Sequence, residues 1–294
     1  GVRPEQTVVT NGSTALLGVI ARTLLRPGLN AVTSERSFII YPIATKAAGG
    51  RLITVPMNND HYDLDSIAAA IDSDTRIIFI ANPNNPTGTM IDAPGMDAFL
   101  RKVPEHVLVL LDEAYCDFAT AFAAVRGIEY SHSIEHVREE RNLVVLRTFS
   151  KAHGLAGVRV GYGLGPGALM QYFHRMRTTF SVTALAEAAA LAALNDQEHS
   201  SKTIENNRRG AEFLMGKLSE MGYRPIPTFA NFIFFDTGED AAALSKHIQN
   251  EGIIVRPLGP WGIPTAIRVT VGTPEQNELF IAALARATEK AGVR

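Results

Sequence analysis

Arg76-Ile-Ile-Phe-Ile-Ala-Asn-Pro-Asn-Asn-Pro-Thr-Gly88 sets a short apolar run against an abrupt polar turn. Arg76–Ile80 is a continuous apolar stretch bounded by turn residues, the pattern of a strand buried on both faces. Working outward, Thr7–Thr10, Asn30–Thr33, Arg51–Val55, Val107–Leu111, Leu143–Arg147 and Val158–Leu164 repeat it. Helical patterns lie between them at Ser13–Leu25, Leu64–Ile71 and Ala93–Val103, the first closed by Arg26-Pro27-Gly28. This alternation predicts an α/β domain on a mainly parallel sheet of about seven strands flanked by helices.

Beyond Ser181 the pattern changes. Thr183–Asn195 and Lys202–Met221 read as helices, followed by a strand at Asn231–Asp236 and a helix at Ala241–Asn250. Strands at Ile253–Arg256 and Ala266–Val271 and a helix at Pro274–Ala291 complete the chain. Loss of regular alternation predicts a smaller α+β unit, with a boundary expected near residue 198, dividing the chain into 1–198 and 199–294. The sequence opens on Gly1-Val2-Arg3-Pro4-Glu5-Gln6 and reaches a strand at once, so an N-terminal segment is expected to be missing.

Composition narrows the function classes. The 294 residues are 46% apolar and 20% charged, with a formal net charge of -2. That balance fits a globular protein and predicts neither a nucleic-acid nor an anionic-membrane partner. The single Cys116 excludes an intrachain disulfide and fits a reducing, cytoplasmic setting. No apolar stretch reaches the roughly 18 residues of a membrane span. His and Cys residues show no zinc-ligand spacing, so no metal is expected.

Polar clusters follow four of the strands. They are Asn11-Gly12-Ser13-Thr14, the Asn82–Gly88 loop, Asp112-Glu113-Ala114-Tyr115 and Thr148-Phe149-Ser150-Lys151. In open α/β sheets ligands bind outside the carboxyl ends of the strands, so four clusters predict one shared site. Gly12-Ser13-Thr14 at a helix start suits a phosphate, although Asn11 or Ser13 acting as a simple helix cap is the commoner use of such residues. Asp112 at the rim of a buried sheet requires a cation or several donors. Lys151, beside Ser150 and Arg159, is expected to hold its proton weakly, as a nucleophilic amine must.

Taken in order, these clusters resemble the fold-type I pyridoxal-phosphate aminotransferases of classes I and II. The resemblance rests on Asn-Gly-Ser-Thr at 11–14, Asn-Asn-Pro-Thr-Gly at 84–88, Asp-Glu-Ala-Tyr at 112–115 and Ser-Lys-Ala-His-Gly-Leu-Ala-Gly-Val-Arg at 150–159. It continues through Ala-Ile-Arg-Val-Thr-Val-Gly at 266–272. Within the class, the 150–159 block and the 255–272 tail are most similar to histidinol-phosphate aminotransferases.

The resemblance implies pyridoxal 5'-phosphate as cofactor, carried as an imine on Lys151, which then serves as the proton shuttle. It implies Asp112 on the pyridine nitrogen, Asn85 and Tyr115 on the ring's phenolic oxygen, and Phe38 stacked on the ring. It assigns the phosphate to Gly12, Ser13, Thr14, Ser150 and Arg159, and the substrate anion to Arg268, with Arg256 as a second contact and Asn85 beside the substrate. Lys151 and Arg159 must then face one cofactor, which implies that the strand after the lysine runs antiparallel. The implied reaction moves the amino group of histidinol phosphate to 2-oxoglutarate, or from glutamate to imidazole acetol phosphate in the histidine-biosynthesis direction, in a homodimer. An aromatic amino-acid aminotransferase and a lyase of the threonine-phosphate decarboxylase type share these motifs. A ligand-sensing domain fused to a regulator is the non-enzymatic alternative, against which the absence of a basic DNA-binding module counts.

Three features carry bland readings. Gly161-Tyr162-Gly163-Leu164-Gly165 lacks the helix-opening context of a dinucleotide fingerprint. Cys116 reads as a small buried residue and His153 as a loop or packing residue. Trp261 either packs the two units together or borders the substrate pocket.

Overall fold

The computed structural model describes residues 1–290. Its first half alternates as the apolar runs predict: β1 (Thr7–Thr10), α1 (Ser13–Leu24), β2 (Asn30–Ser34), α2 (Ile40–Ala47), β3 (Arg51–Val55), α3 (Leu64–Ala69) and β4 (Thr75–Ala81). Then come α4 (Ala93–Leu100), β5 (Leu108–Asp112), α5 (Cys116–Arg126), α6 (Ser133–Arg138), β6 (Leu143–Thr148), β7 (Gly161–Leu164) and α7 (Gly167–Met176). Seven strands form one sheet in the order β3-β2-β4-β5-β6-β7-β1. The pairs from β3 to β6 are parallel, whereas β7 runs antiparallel to both β6 and β1. The fold is thus the expected α/β class with a reversed strand after Lys151.

The continuous apolar runs are explained by burial on both sides. Leu16, Ile20, Tyr41, Phe79 and Phe173 pack on one face, from α1, α2, β4 and α7. Ile67, Ile78, Ile80, Phe99 and Val145 pack on the other. Each such side chain contributes about 1.5–3 kcal/mol by leaving water.

The C-terminal part comprises α8 (Ala184–Asn195), α9 (Gln197–Glu220), β8 (Arg224–Pro225), β9 (Phe232–Asp236), α10 (Ala241–Asn250), β10 (Arg256–Pro257), β11 (Ala266–Thr270) and α11 (Pro274–Lys290). Its four strands make an antiparallel sheet in the order β10-β11-β9-β8. The core beneath it joins Leu214, Phe235, Ile267 and Phe280 to Ala119 and Phe122 of α5.

Several boundaries differ from expectation. The strand expected over Val158–Leu164 is only Gly161–Leu164, because Arg159 takes a left-handed conformation (φ 63°) that breaks the extended run. Arg159 therefore sits in the turn before β7, not at the start of a strand. The strand expected at Ile253–Arg256 is reduced to Arg256–Pro257. Helix α9 starts earlier than Lys202, where the Asp196 carboxylate accepts the His199 amide at 2.9 Å as an N-cap. Ala291 of the expected last helix lies outside the described residues. Helices α2, α5 and α6 have no counterpart among the elements that the sequence predicts, whereas the basic His174 and Arg175 lie on α7.

Candidate active site

The strand ends bring their clusters together around a cavity of about 210 Å³. Its walls are Ser13, Thr14, Phe38, Asn85, Asp112, Tyr115, Ser150, Lys151 and Arg159, with Ala81, Pro83, Ala114 and Thr148 between them. Gly12 adjoins it through the backbone.

One end is built for an anion. Helix α1 starts on Gly12 with no side-chain cap, leaving its first amides and the positive end of the helix dipole facing the cavity. Asn11 is not a cap: its Nδ2 donates to the Ser181 carbonyl at 3.0 Å. Gly12 has φ 77°, and a Cβ there would lie 2.5 Å from Arg159 Nη2, so glycine is what lets the guanidinium approach the helix start. Arg159 Nη1 donates to Ser150 Oγ at 3.3 Å and to the Ala156 carbonyl at 2.9 Å, both neutral groups. An uncapped helix, an arginine without a carboxylate partner among the described residues, and two serines make a cradle suited to a phosphate.

The opposite end holds Asp112. It is buried, receives the Ala114 amide at 3.2 Å, and has a long contact of 3.5 Å from the Tyr41 hydroxyl. Burial pushes its carboxyl up to about 6, only partly offset by the Ala114 amide and the Lys151 charge. Such a carboxylate is short of donors, and a cationic N–H is what would satisfy it. Tyr41 is fixed by stacking on Phe79 at 4.8 Å and by an edge contact with Phe38 at 5.6 Å.

Between the two ends lies Lys151, its Nζ 5.1 Å from the Tyr115 ring centroid. Burial lowers its proton affinity and the Arg268 and Arg159 charges add to this, while Asp112 opposes. Burial also pushes the Tyr115 hydroxyl up to about 12. Arg268, on β11, donates from Nη1 to Asn85 Oδ1 and lies 4.9 Å over the Phe232 ring. Its Nε is buried with no hydrogen-bond partner among the described residues. Burial and the neighbouring Arg256 charge make its own charge costly, a cost that an anion would relieve. Arg256 pairs with Arg268 across the β10–β11 ladder but is exposed and does not line the cavity.

These groups fit pyridoxal phosphate: an anion cradle at one end, an under-satisfied carboxylate for the ring nitrogen at the other, and a weakly basic amine between. Phe38 and the Asn85 and Tyr115 side chains complete the wall.

Other residues support the site from behind. Tyr62, half-buried, reaches Ser37 Oγ at 2.6 Å and receives the Ala81 amide at 3.0 Å; Ser37 Oγ donates to Asn84 Oδ1 at 3.0 Å. Trp261 donates its indole N–H to the Ser37 carbonyl at 2.8 Å, so it ties the smaller sheet to the segment carrying Phe38. Tyr41 is a site neighbour outside the predicted set, and its spacing of three from Phe38 is the signal in the sequence that marks it. The Glu113–Arg147 ion pair also lies outside that set, though Glu113 adjoins Asp112 in the quoted motif.

His153 packs on Phe149 at 5.0 Å, and burial raises the Cys116 thiol, which keeps it protonated. The Gly161–Gly165 stretch serves packing: a Cβ on Gly161 would run into the Ser13 amide nitrogen, and one on Gly163 into Leu16 Cδ2.

Known proteins resemble the chain in sequence and in fold. The family model for aminotransferase class I and II matches residues 2–284. The chain is 45% identical over 283 residues to histidinol-phosphate aminotransferase 2 of Pseudomonas fluorescens, covering 96% of this chain and 75% of that protein. It is 42% identical over 285 residues to histidinol-phosphate aminotransferase of Moorella thermoacetica, covering 97% of this chain and 72% of that protein. The crystal structure of histidinol-phosphate aminotransferase from Sinorhizobium meliloti in complex with pyridoxal-5'-phosphate superposes with a TM-score of 0.91 at 31% identity, over 99% of this chain and 78% of that one.

Proposed function

The chain belongs to the class I and II aminotransferases, and from that premise we propose that it uses pyridoxal phosphate to move the amino group of histidinol phosphate to 2-oxoglutarate, and in reverse from glutamate to imidazole acetol phosphate. The observation that carries the substrate reading is the half-satisfied Arg268 guanidinium, which does not itself line the cavity but holds Asn85 of its wall, and whose buried Nε has no hydrogen-bond partner among the described residues. An arginine held beside the cavity wall in this way can grip the phosphate of one substrate and a carboxylate of the other in turn.

Bound in the cavity, pyridoxal phosphate supplies the carbonyl that captures the amino group and the ring that accepts the electron pair left at Cα. The protein does the rest. Ser13, Thr14, Ser150 and Arg159, with the start of α1, grip the phosphate. The Asp112 carboxylate pairs with the ring nitrogen and keeps a proton there. Asn85 and Tyr115 face the ring's oxygen. Lys151 Nζ, biased toward its neutral form by burial and nearby cations, would take the proton from Cα and return it to the cofactor carbon on the other side of the shared nitrogen.

We further propose that residues 1–198 hold the cofactor while 199–294 bring Arg268 to it. We also propose a homodimer, supported by apolar side chains in the open, notably Phe180 (97% exposed), Leu185, Leu191 and Leu194, and a cytoplasmic setting, supported by the single cysteine. No helix among the described residues is long and apolar enough to cross a membrane.

The test is to load the protein with pyridoxal phosphate and follow 2-oxoglutarate-dependent turnover of histidinol phosphate, phenylalanine and tyrosine, together with carbon dioxide release from threonine phosphate. Preference for histidinol phosphate is expected; preference for an aromatic amino acid, or carbon dioxide release, would overturn the assignment. Lys151→Ala should lose the visible absorbance of the lysine-bound cofactor and slow turnover by at least about 10⁴-fold.

A further inference from the structure

One residue past Asp112, outside the cavity lining, Glu113 forms an ion pair that the chemistry above does not use. Glu113 is fully buried, and its Oε2 accepts Arg147 Nη2 at 2.7 Å and Nε at 3.0 Å. Its Oε1 accepts the Ser131 hydroxyl at 2.7 Å, and Ser131 Oγ accepts the Ser133 amide at 3.2 Å. Both carboxylate oxygens are thereby engaged, and the contact also fixes the start of α6.

Location gives the pair its meaning. The β5–β6 ladder ends at Asp112 opposite Leu146, with one more bond from the Glu113 amide to the Leu146 carbonyl at 2.9 Å. Past that point the two chains part, one carrying Tyr115 and the other Thr148, Ser150 and Lys151. The Glu113–Arg147 pair is the side-chain tie at the point where they part. Buried ion pairs contribute little net stability over apolar residues of the same shape, so stability alone is a poor reason for this one. A rigid tie one residue beyond Asp112 and four residues before Lys151 does have an evident consequence. It sets how far apart the carboxylate and the amine stand.

We propose that Glu113 and Arg147 are positioning residues, a clamp that fixes the gap between the Asp112 carboxylate and the Lys151 amine. The proposal rests on the cofactor reading of those two residues. The test compares Glu113→Gln, Arg147→Met and the double variant, in which no buried charge is left unpaired. Melting temperature, pyridoxal-phosphate affinity, the pH midpoint of the bound cofactor's absorbance, kcat and KM are measured for each.

In the double variant the melting temperature and cofactor affinity should stay near wild type. Its kcat should fall about 10- to 100-fold with KM changed less than about threefold, the signature of reacting groups held slightly out of place. The pH midpoint should move by about half a unit or more, a change that a purely structural pair would not produce. A double variant with wild-type kcat and an unmoved midpoint overturns the clamp, even if the single variants are too unstable to purify. Wild-type protein that takes up no pyridoxal phosphate would overturn the cofactor reading and the clamp with it, and the wild-type control shows this separately.

Discussion

Asp112 carries a cost that its chemistry explains. Its carboxyl, pushed up to about 6 from an ordinary 3.8, holds its proton more tightly in the folded chain than in an unfolded one. Below pH 3.8 both states are protonated and the group has no effect on stability. Between 3.8 and about 6 the folded state binds the extra proton, so stability falls as pH rises; above about 6 the full penalty stands, about 3 kcal/mol. Cofactor-free Asp112→Asn should therefore melt above wild type at pH 7.5 and level with it near pH 3.5, as thermal unfolding at the two pH values will show. On the proposed pairing of Asp112 with the ring nitrogen, the same substitution should slow turnover of the loaded enzyme by about 10²- to 10³-fold, since it would remove a fixed charge from the reacting ring. Arg268→Lys tests the other end of the residue-scale logic. A point charge replaces the planar fork that now contacts Asn85, so kcat/KM should fall for donor and acceptor alike by about 10- to 100-fold, measured in separate half-reactions.

At the scale of elements, the close approach of α1 to β7 sets the shape of the phosphate cradle. Gly161→Ala would press on the backbone of Ser13 and push the helix start away, at a cost of about 1–3 kcal/mol. Cofactor affinity should drop about 10- to 100-fold by absorbance titration. Gly163→Ala meets only the tip of Leu16, so it should lower the melting temperature with affinity retained. The sequence made the strands legible because burial on both faces writes a continuous apolar run, as in Arg76–Ile80. The site was legible for a related reason: Asp112, Ser150 and Lys151 break such runs at one sheet edge. Helix α2 was hidden because Ile39-Ile40-Tyr41-Pro42 mimics a strand end, and α5 because its largely apolar sequence shows no polar face. The left-handed turn at Arg159 was invisible, since nothing in Gly157-Val158-Arg159-Val160 marks a positive φ on a non-glycine residue. The ties Trp261–Ser37 and Glu113–Arg147 join residues far apart in sequence, and local patterns do not encode such pairings.

For the whole molecule, α5 makes the two sheets interdependent, because it leaves the Asp112–Tyr115 segment and packs Phe122 into the core under the smaller sheet. Movement of that sheet is thereby felt at Tyr115. The exposed apolar row on α8 makes a prediction about assembly: Leu191→Glu should shift the protein toward monomers in analytical ultracentrifugation at micromolar concentration, while the fold is kept. Strand β1 raises a different matter, that of timing. Its partner β7 follows about 150 residues later in the chain, and β7 closes the sheet only after β6 is in place. On the ribosome, the Gly12–Thr14 cradle thus emerges early and waits, its strand unpaired, until Leu164 has left the exit tunnel. A nascent chain halted before that point should fail to retain the coenzyme and should present an open strand edge to chaperones.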